Sequence, residues 1–352
     1  MKALRWHERG DIRIEELPEP SPGDGEVKVK VKWCAICTSD IHEFTSGPIL
    51  IPTKRPHPAT GRQAPITLGH EFSGELVEIG NGVTGVNVGD RVAVRPTLPC
   101  YECYWCRHGR PILCNRLATL GGGADGGFAE YVVARSDMVY RLPEEVTYEM
   151  AALSEPSAVA IHACKRASLS PGDSVAVVGA GPIGLLVIQA ARAAGASKLF
   201  AIEPLSKRGE IAKRLGATEV INPREVDAGK EIASLTDGRR ADTVFECVGI
   251  PESMLLSLTA SGRGGKIIVV GQATEVCPFP FGTVMALEKE ILGSCGYEDE
   301  FPTALSYMRD GRIDTQSLIT AKIKLDDIIE QGFNVLNSER KVEHLKILVS
   351  PE

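Results

Sequence analysis

The chain has 352 residues, which at roughly 150 residues per domain suggests two domains. With 43% hydrophobic residues, 24% charged residues and 36 glycines it can bury a large core, which excludes a disordered or fibrous chain. Its 46 acidic and 39 basic residues give a net charge of −7, and a surface that tracks phosphates needs a cationic excess, so no nucleic-acid partner is expected.

The opening segment MKALRWHERGDIRIEE is charged within its first dozen residues and lacks the apolar stretch of a signal peptide. No window approaches the roughly 20 uninterrupted apolar residues of a membrane helix. A cytoplasmic protein without a membrane partner is expected. In a reducing compartment its ten cysteines read as metal ligands, reactive groups or core residues rather than as disulfides.

The first third alternates short apolar runs with turn residues: GEVKVKVKW, SGELVEIG, GDRVAV and GGFAEYVVA. This spacing predicts an all-β unit of barrel or sandwich type. Within it, residues 45 to 67 are proline-rich, have no regular period and read as a long loop of functional character. After LSPGD the pattern changes to a strand SVAVV, a helix PIGLLVIQAARAAGA, a strand KLFAIE and a helix KRGEIAKRLGA, followed by ADTVFECVG, MLLSLTA and GGKIIVVG. Such alternation predicts an α/β fold with a doubly wound parallel sheet. The tail from Tyr297 holds a helical stretch, EFPTALSYMRDG, and a closing strand, HLKILVS.

Gly179, Ala180, Gly181, Pro182, Ile183 and Gly184 form G-x-G-x-x-G between a strand and a helix. The first glycine serves the tight turn, the second the approach of a pyrophosphate and the third close helix–strand packing. Glu203 ends the next strand, 19 residues after Gly184, where a carboxylate meets the adenosine ribose and disfavours a 2′-phosphate. NAD is therefore the expected cofactor, with Lys207 and Arg208 close enough to soften the preference. The competing reading is a turn that serves packing alone.

Cys100, Cys103, Cys106 and Cys114 form C-x2-C-x2-C-x7-C, a set able to enclose a structural zinc. Iron–sulfur clusters also take four cysteines but use other spacings. A dispersed set comprises Cys37, His70, Glu71 and Glu155. One thiolate, one imidazole and one carboxylate suffice for a catalytic zinc with an open position. Spacing leaves their convergence undecided: His70 equally suits a satisfied structural histidine, and Glu155 an ordinary helix start. Cys34 and Cys37 make C-x-x-C, but no thioredoxin-like pattern follows.

With these motifs in order over nearly the whole chain (GHE, GDRVAV, the four-cysteine lobe, SEP and GAGPIG), the sequence resembles the zinc-dependent medium-chain dehydrogenase/reductases, the alcohol dehydrogenase superfamily. The stretches GPILIPTKRPHPATGRQAPITLGHEFSGE, FECVG, LITAKIKLDDIIEQGF and HLKILVSP resemble its butanediol dehydrogenase, or acetoin reductase, group. The resemblance implies a GroES-like, mostly-β catalytic domain from residues 1–155 and 297–352, with the structural-zinc lobe at 100–114, and a Rossmann NAD-binding domain at 156–296. It implies two zinc ions per subunit, with Cys37, His70 and Glu155 as catalytic-zinc ligands and Glu71 as a fourth or exchanging one. It makes Ser39 the hydroxyl that meets the substrate oxygen, His42 a proton-relay histidine and Asp40 the acceptor that orients His70. Its activity would be reversible oxidation of a secondary alcohol, best a vicinal diol, by a homodimer or homotetramer. Polyol and threonine dehydrogenases, and a non-catalytic NAD(P)H-binding protein, are the rival readings.

Overall fold

The computed structural model describes residues 1–273, 275–277 and 279–352. Its contacts divide the chain into Met1–Glu155 with Thr315–Glu352, and Pro156–Asp314. Residues 297–314, placed by the sequence reading with the catalytic domain, instead pack within the second unit. The reason is visible in two long-range anchors: His162 Nδ1 lies 2.9 Å from Glu300 Oε1, and Asp314 N donates to Gln189 Oε1 at 2.6 Å.

The first unit is organised around the strand Glu26–Ala35, in which Val27, Val29 and Val31 are fully buried while lysines stand between them. This period-2 pattern fits a strand with one face in the core. The strand pairs antiparallel with Glu71–Ile79, with Tyr131–Arg135 and with Lys346–Ser350. Ala35 is opposite Glu71 in one pairing and opposite Leu348 in another. The end of the central strand is thus flanked by residues remote in the chain. Trp6, Phe72, Phe128 and Phe333 fill the core beneath. A short antiparallel pair, Thr97–Leu98 with Ala118–Thr119, closes the base of the four-cysteine lobe.

The second unit holds, among the described residues, a six-stranded sheet. Its strands run Glu219–Ile221, Lys198–Ile202, Ser174–Val178, Ala241–Glu246, Ser261–Val269 and Glu290–Gly293 across the sheet, all parallel. Numbered within the unit, this is the order 3-2-1-4-5-6 of doubly wound dinucleotide-binding folds, with its switch point at the carboxyl end of Ser174–Val178. Every residue of that strand is buried, as a central strand covered on both faces requires. Among the described residues no helix is long and apolar enough to cross a membrane.

Candidate functional site

The helix α1, Thr38–Ser46, begins directly after Cys37, which is its N-cap. Asp40 occupies the third helical position and its Oδ2 accepts from Cys37 N at 2.9 Å, so local capping fixes its carboxylate. The other oxygen, Oδ1, lies 3.4 Å from His70 Nδ1. His70 Nε2 is 3.3 Å from Ser39 Oγ. The approach to His70 depends on Gly69, whose φ is +94° and where a Cβ would sit 2.8 Å from both Cys34 Sγ and Phe128 N.

The sulfur of Cys37, an imidazole nitrogen of His70 and a carboxylate oxygen of Glu71 all lie within 4.8 Å of one another. Strand pairing accounts for this, because it sets Ala35 beside Glu71. Glu155 is outside that group of three; it lies in the first turn of the helix Ser154–Ala167, and its charge still reaches Lys346. His42 Nδ1 is buried with no hydrogen-bond partner among the described residues.

Lys346 is the residue that sequence reasoning missed. Its Nζ donates to both oxygens of Glu71 at 2.6 Å, and both side chains are buried. The available signal was a lone lysine in the apolar closing run HLKILVS. Burial opposes charge on Lys346 most strongly, yet Glu71 and Cys37 outweigh it and hold the ammonium well above its usual value. His70 behaves alike: burial lowers its proton affinity, but Asp40 and Cys37 raise it well above the ordinary range. A pocket that draws positive charge onto a histidine, and offers sulfur, nitrogen and oxygen donors together, has the chemistry of a zinc site.

The four cysteine sulfurs of the lobe also lie within 4.8 Å of one another. Cys103 and Cys106 sulfurs are 3.5 Å apart, and backbone N–H groups of Cys103 and Arg116 point at the sulfurs of Cys100 and Cys114 at 3.4 and 3.3 Å. Hydrogen bonding from the backbone at Glu102, with that of Cys103, brings the Cys100 thiol down to about 6. Burial and the neighbouring sulfurs push Cys106 up to about 12. One thiolate forms readily while another resists, a conflict that a divalent cation at the centre removes. Among the described residues none of the ten cysteines forms a disulfide. Cys164 and Cys247 are shielded by burial, which raises both thiols, whereas Cys295 is exposed.

At the glycine turn, Gly179 has φ +91°, and a Cβ on Gly184 would lie 1.9 Å from Gly179 O. A Cβ on Gly181 would meet nothing within 4 Å, so the open space there is not required by the chain's own packing and suits the close approach of a ligand. The following helix, Pro182–Ala193, has Gly181 as N-cap and proline in its first turn, with no side chain capping its start, and such a helix start suits an anion. Glu203 is buried; its Oε2 accepts from Ala180 N at 2.7 Å and its Oε1 from Leu205 N at 2.9 Å. The carboxylate therefore holds the turn as well as standing at the end of its strand. Arg208 is half-buried on the helix Ser206–Arg214, and Lys207 is exposed.

Residues 23–144 match the alcohol dehydrogenase GroES-like domain, and residues 182–310 match the zinc-binding dehydrogenase domain. The chain is 43% identical to an (R,R)-butanediol dehydrogenase of Bacillus subtilis (strain 168), with all of both chains covered. It is 37% identical to a sorbitol dehydrogenase of the same strain, covering all of this chain and 97% of the relative. The crystal structure of 2R,3R-butanediol dehydrogenase from Bacillus subtilis superposes with a TM-score of 0.93 at 42% identity, covering 100% of this chain and 99% of that one. With a GroES-like unit, a doubly wound parallel sheet and donor sets of zinc type, the chain belongs to the zinc-dependent medium-chain dehydrogenase/reductases, the alcohol dehydrogenase superfamily.

Proposed function

We propose that this protein is a zinc- and NAD-dependent dehydrogenase that interconverts (R,R)-2,3-butanediol and acetoin. The observation that carries the reading is the convergence of Cys37, His70 and Glu71 donors within 4.8 Å, beside the hydroxyl of Ser39. The 43% identity to a butanediol dehydrogenase over the full chain supports the choice of diol. The 37% identity to a sorbitol dehydrogenase favours a polyol as the second reading.

Cys37 and His70, with Glu155 or Glu71, would hold the catalytic zinc, and Cys100, Cys103, Cys106 and Cys114 the structural one. Bound zinc supplies Lewis acidity that lowers the proton affinity of a coordinated hydroxyl. NAD supplies the hydride acceptor. The protein's own part is positioning and proton traffic. Asp40 holds the Nδ1 side of His70, leaving Nε2 toward Ser39. Ser39 is the first acceptor for the proton of the substrate hydroxyl. His42, three residues on along α1 and so on a neighbouring face, passes the proton outward through its unsatisfied ring. Gly179, Gly181, Pro182, Ile183 and Gly184 shape the pyrophosphate turn, and Glu203, with Arg208 nearby, sets the ribose end. The buried carboxylate of Glu203 favours NAD over NADP through repulsion of a 2′-phosphate.

We place the enzyme in the cytoplasm as a homodimer or homotetramer. Exposed Val276, Phe281 and Met285, close in sequence to the edge strand Glu290–Gly293, support association of copies through the second unit. The test is NADH formation by zinc-loaded protein on (R,R)-, meso- and (S,S)-2,3-butanediol, sorbitol and threonine. Preference for (R,R)-butanediol is expected. Preference for sorbitol or threonine overturns the diol assignment, and NADP preference in paired kinetics overturns the cofactor.

A further inference from the structure

A second buried carboxylate on α1 does not belong to the donor sets. Glu43 lies four residues after Ser39, on the same helix face, and is 4% exposed. Among the described residues its hydrogen bonds include no cationic partner. Instead its carboxylate accepts three successive backbone N–H groups: Ile49 to Oε1 at 2.9 Å, Leu50 to Oε2 at 3.0 Å and Ile51 to Oε1 at 3.2 Å. Its backbone is held too, since Glu43 O accepts from Trp6 Nε1 at 3.1 Å and from Gly47 N at 3.0 Å. Gly47 makes the return of the chain feasible: a Cβ there would lie 2.2 Å from Glu43 O.

The segment that Glu43 grips forms one wall of a cleft. Ser39, Asp40, Glu43, His70, Leu50 and the turn Thr119–Gly122 line it together. Leu50 is 58% exposed, so hydrophobic burial does not hold it there. It meets the turn closely, because a Cβ on Gly122 would lie 3.2 Å from Leu50 Cβ. Farther along the same loop, Thr60 Oγ1 donates to Gly123 O at 2.5 Å, so the loop meets the end of that turn at two adjacent residues. The position of Leu50 therefore rests on the amide contacts to Glu43.

We infer that Glu43 is a specificity-setting positioning residue: by clamping the amides of Ile49, Leu50 and Ile51 it fixes Leu50 as a wall close to Ser39 and His70, so that the cleft takes a short vicinal diol and resists a longer polyol. The inference rests on the diol reading for the substrate and on the geometry alone for the clamp.

The test compares Glu43→Gln and Leu50→Ala with the wild type, all zinc-loaded, in kinetics with NAD and (R,R)-2,3-butanediol or sorbitol, and in amide hydrogen exchange. An isosteric amide turns an N–H donor toward the loop amides and leaves at least one unpaired. In Glu43→Gln, exchange of the amides of residues 49–51 should quicken on the order of tenfold, and KM for butanediol should rise by a similar factor with kcat changing much less. The sorbitol-to-butanediol ratio of kcat/KM should rise in both variants, while the amides stay protected in Leu50→Ala. Unchanged exchange in Glu43→Gln overturns the clamp, and an equal loss on both substrates overturns the specificity role. If Glu43→Gln does not fold, an unchanged substrate ratio in Leu50→Ala overturns the wall. A wild type that ignores butanediol sinks the diol reading and with it the stated substrate preference; faster exchange at residues 49–51 then upholds the clamp separately.

Discussion

Lys346 and Glu71 form a buried ion pair in which one ammonium meets both carboxylate oxygens at 2.6 Å. The two residues lie 275 positions apart in sequence and stand on strands that flank the same end of the central strand. Burying two charges is expensive, and removing one of a pair strands the other. Lys346→Met should destabilise the metal-free protein by about 3–5 kcal/mol, read as a fall in the urea midpoint. Zinc should restore part of that loss, because Glu71 then faces a cation again. Equal losses with and without zinc would show that Glu71 does not turn toward the metal.

For the catalytic set, Cys37→Ser should abolish turnover and halve the zinc content from two ions per chain to one. NADH binding, followed by fluorescence, should persist because the glycine turn belongs to the other unit. Full activity with one zinc per chain would refute the assignment.

His42→Ala should slow turnover more at neutral pH than at high pH, where hydroxide and buffer bases replace the relay. The comparison is the pH–rate profile of kcat beside that of the wild type. Parallel profiles would remove His42 from the proton path.

The four-cysteine lobe should fail structurally before it fails chemically. Cys103→Ser is expected to lose the lobe's zinc and lower the thermal midpoint, with kcat per folded molecule little changed. The lobe is also tied to its surroundings by Tyr101, whose hydroxyl donates to Asp137 Oδ2 at 2.7 Å while Arg135 covers its ring. A kinetic defect in a fully stable variant would contradict this division of labour.

Acid should loosen the second unit through Glu300. Burial opposes its ionisation, but His162, the backbone N–H of Glu298 and Lys165 more than offset that and bring its carboxyl down to about 2. The unfolded value is 4.5, so the contribution is complete above that pH and is lost as pH falls from 4.5 through 2. Its size is about 3 kcal/mol. Urea unfolding at pH 6 and near pH 3 should show Glu300→Gln less stable than the wild type at the higher pH, with that gap shrinking by more than half at the lower. A constant gap across pH would discount the carboxylate.

What the sequence made legible was what lies close together along it. The glycine turn spans six residues after a continuous apolar strand, and the lobe's four sulfurs fall within fifteen residues, so their proximity follows from short chain length. The meeting of Cys37 with Glu71 was not legible, because it depends on the pairing of Glu26–Ala35 with Glu71–Ile79, and register of that kind is set by the whole sheet. Lys346 arrives through still another pairing. The end of the catalytic segment was misplaced for a related reason: the helix Phe301–Arg309 looks the same locally whichever unit it joins, and only partners such as His162 decide. The loop at 45–67 has no period because its order comes from side chains gripping backbone, with Glu43 at one end and Thr60 at the other.

The course of the chain also imposes an order of assembly. The second unit is one continuous stretch, Pro156–Asp314, and all its strands are available once that stretch has been made. The first unit is interrupted, and the strand carrying Lys346 pairs with Cys34 and Ala35, more than 300 residues earlier. During synthesis the dinucleotide-type sheet can close while the metal pocket still lacks the cation that neutralises Glu71. The strand carrying Lys346 leaves the ribosome after that sheet, and a chain halted before residue 346 would hold an intact parallel sheet and an unfinished Cys37–His70–Glu71 pocket.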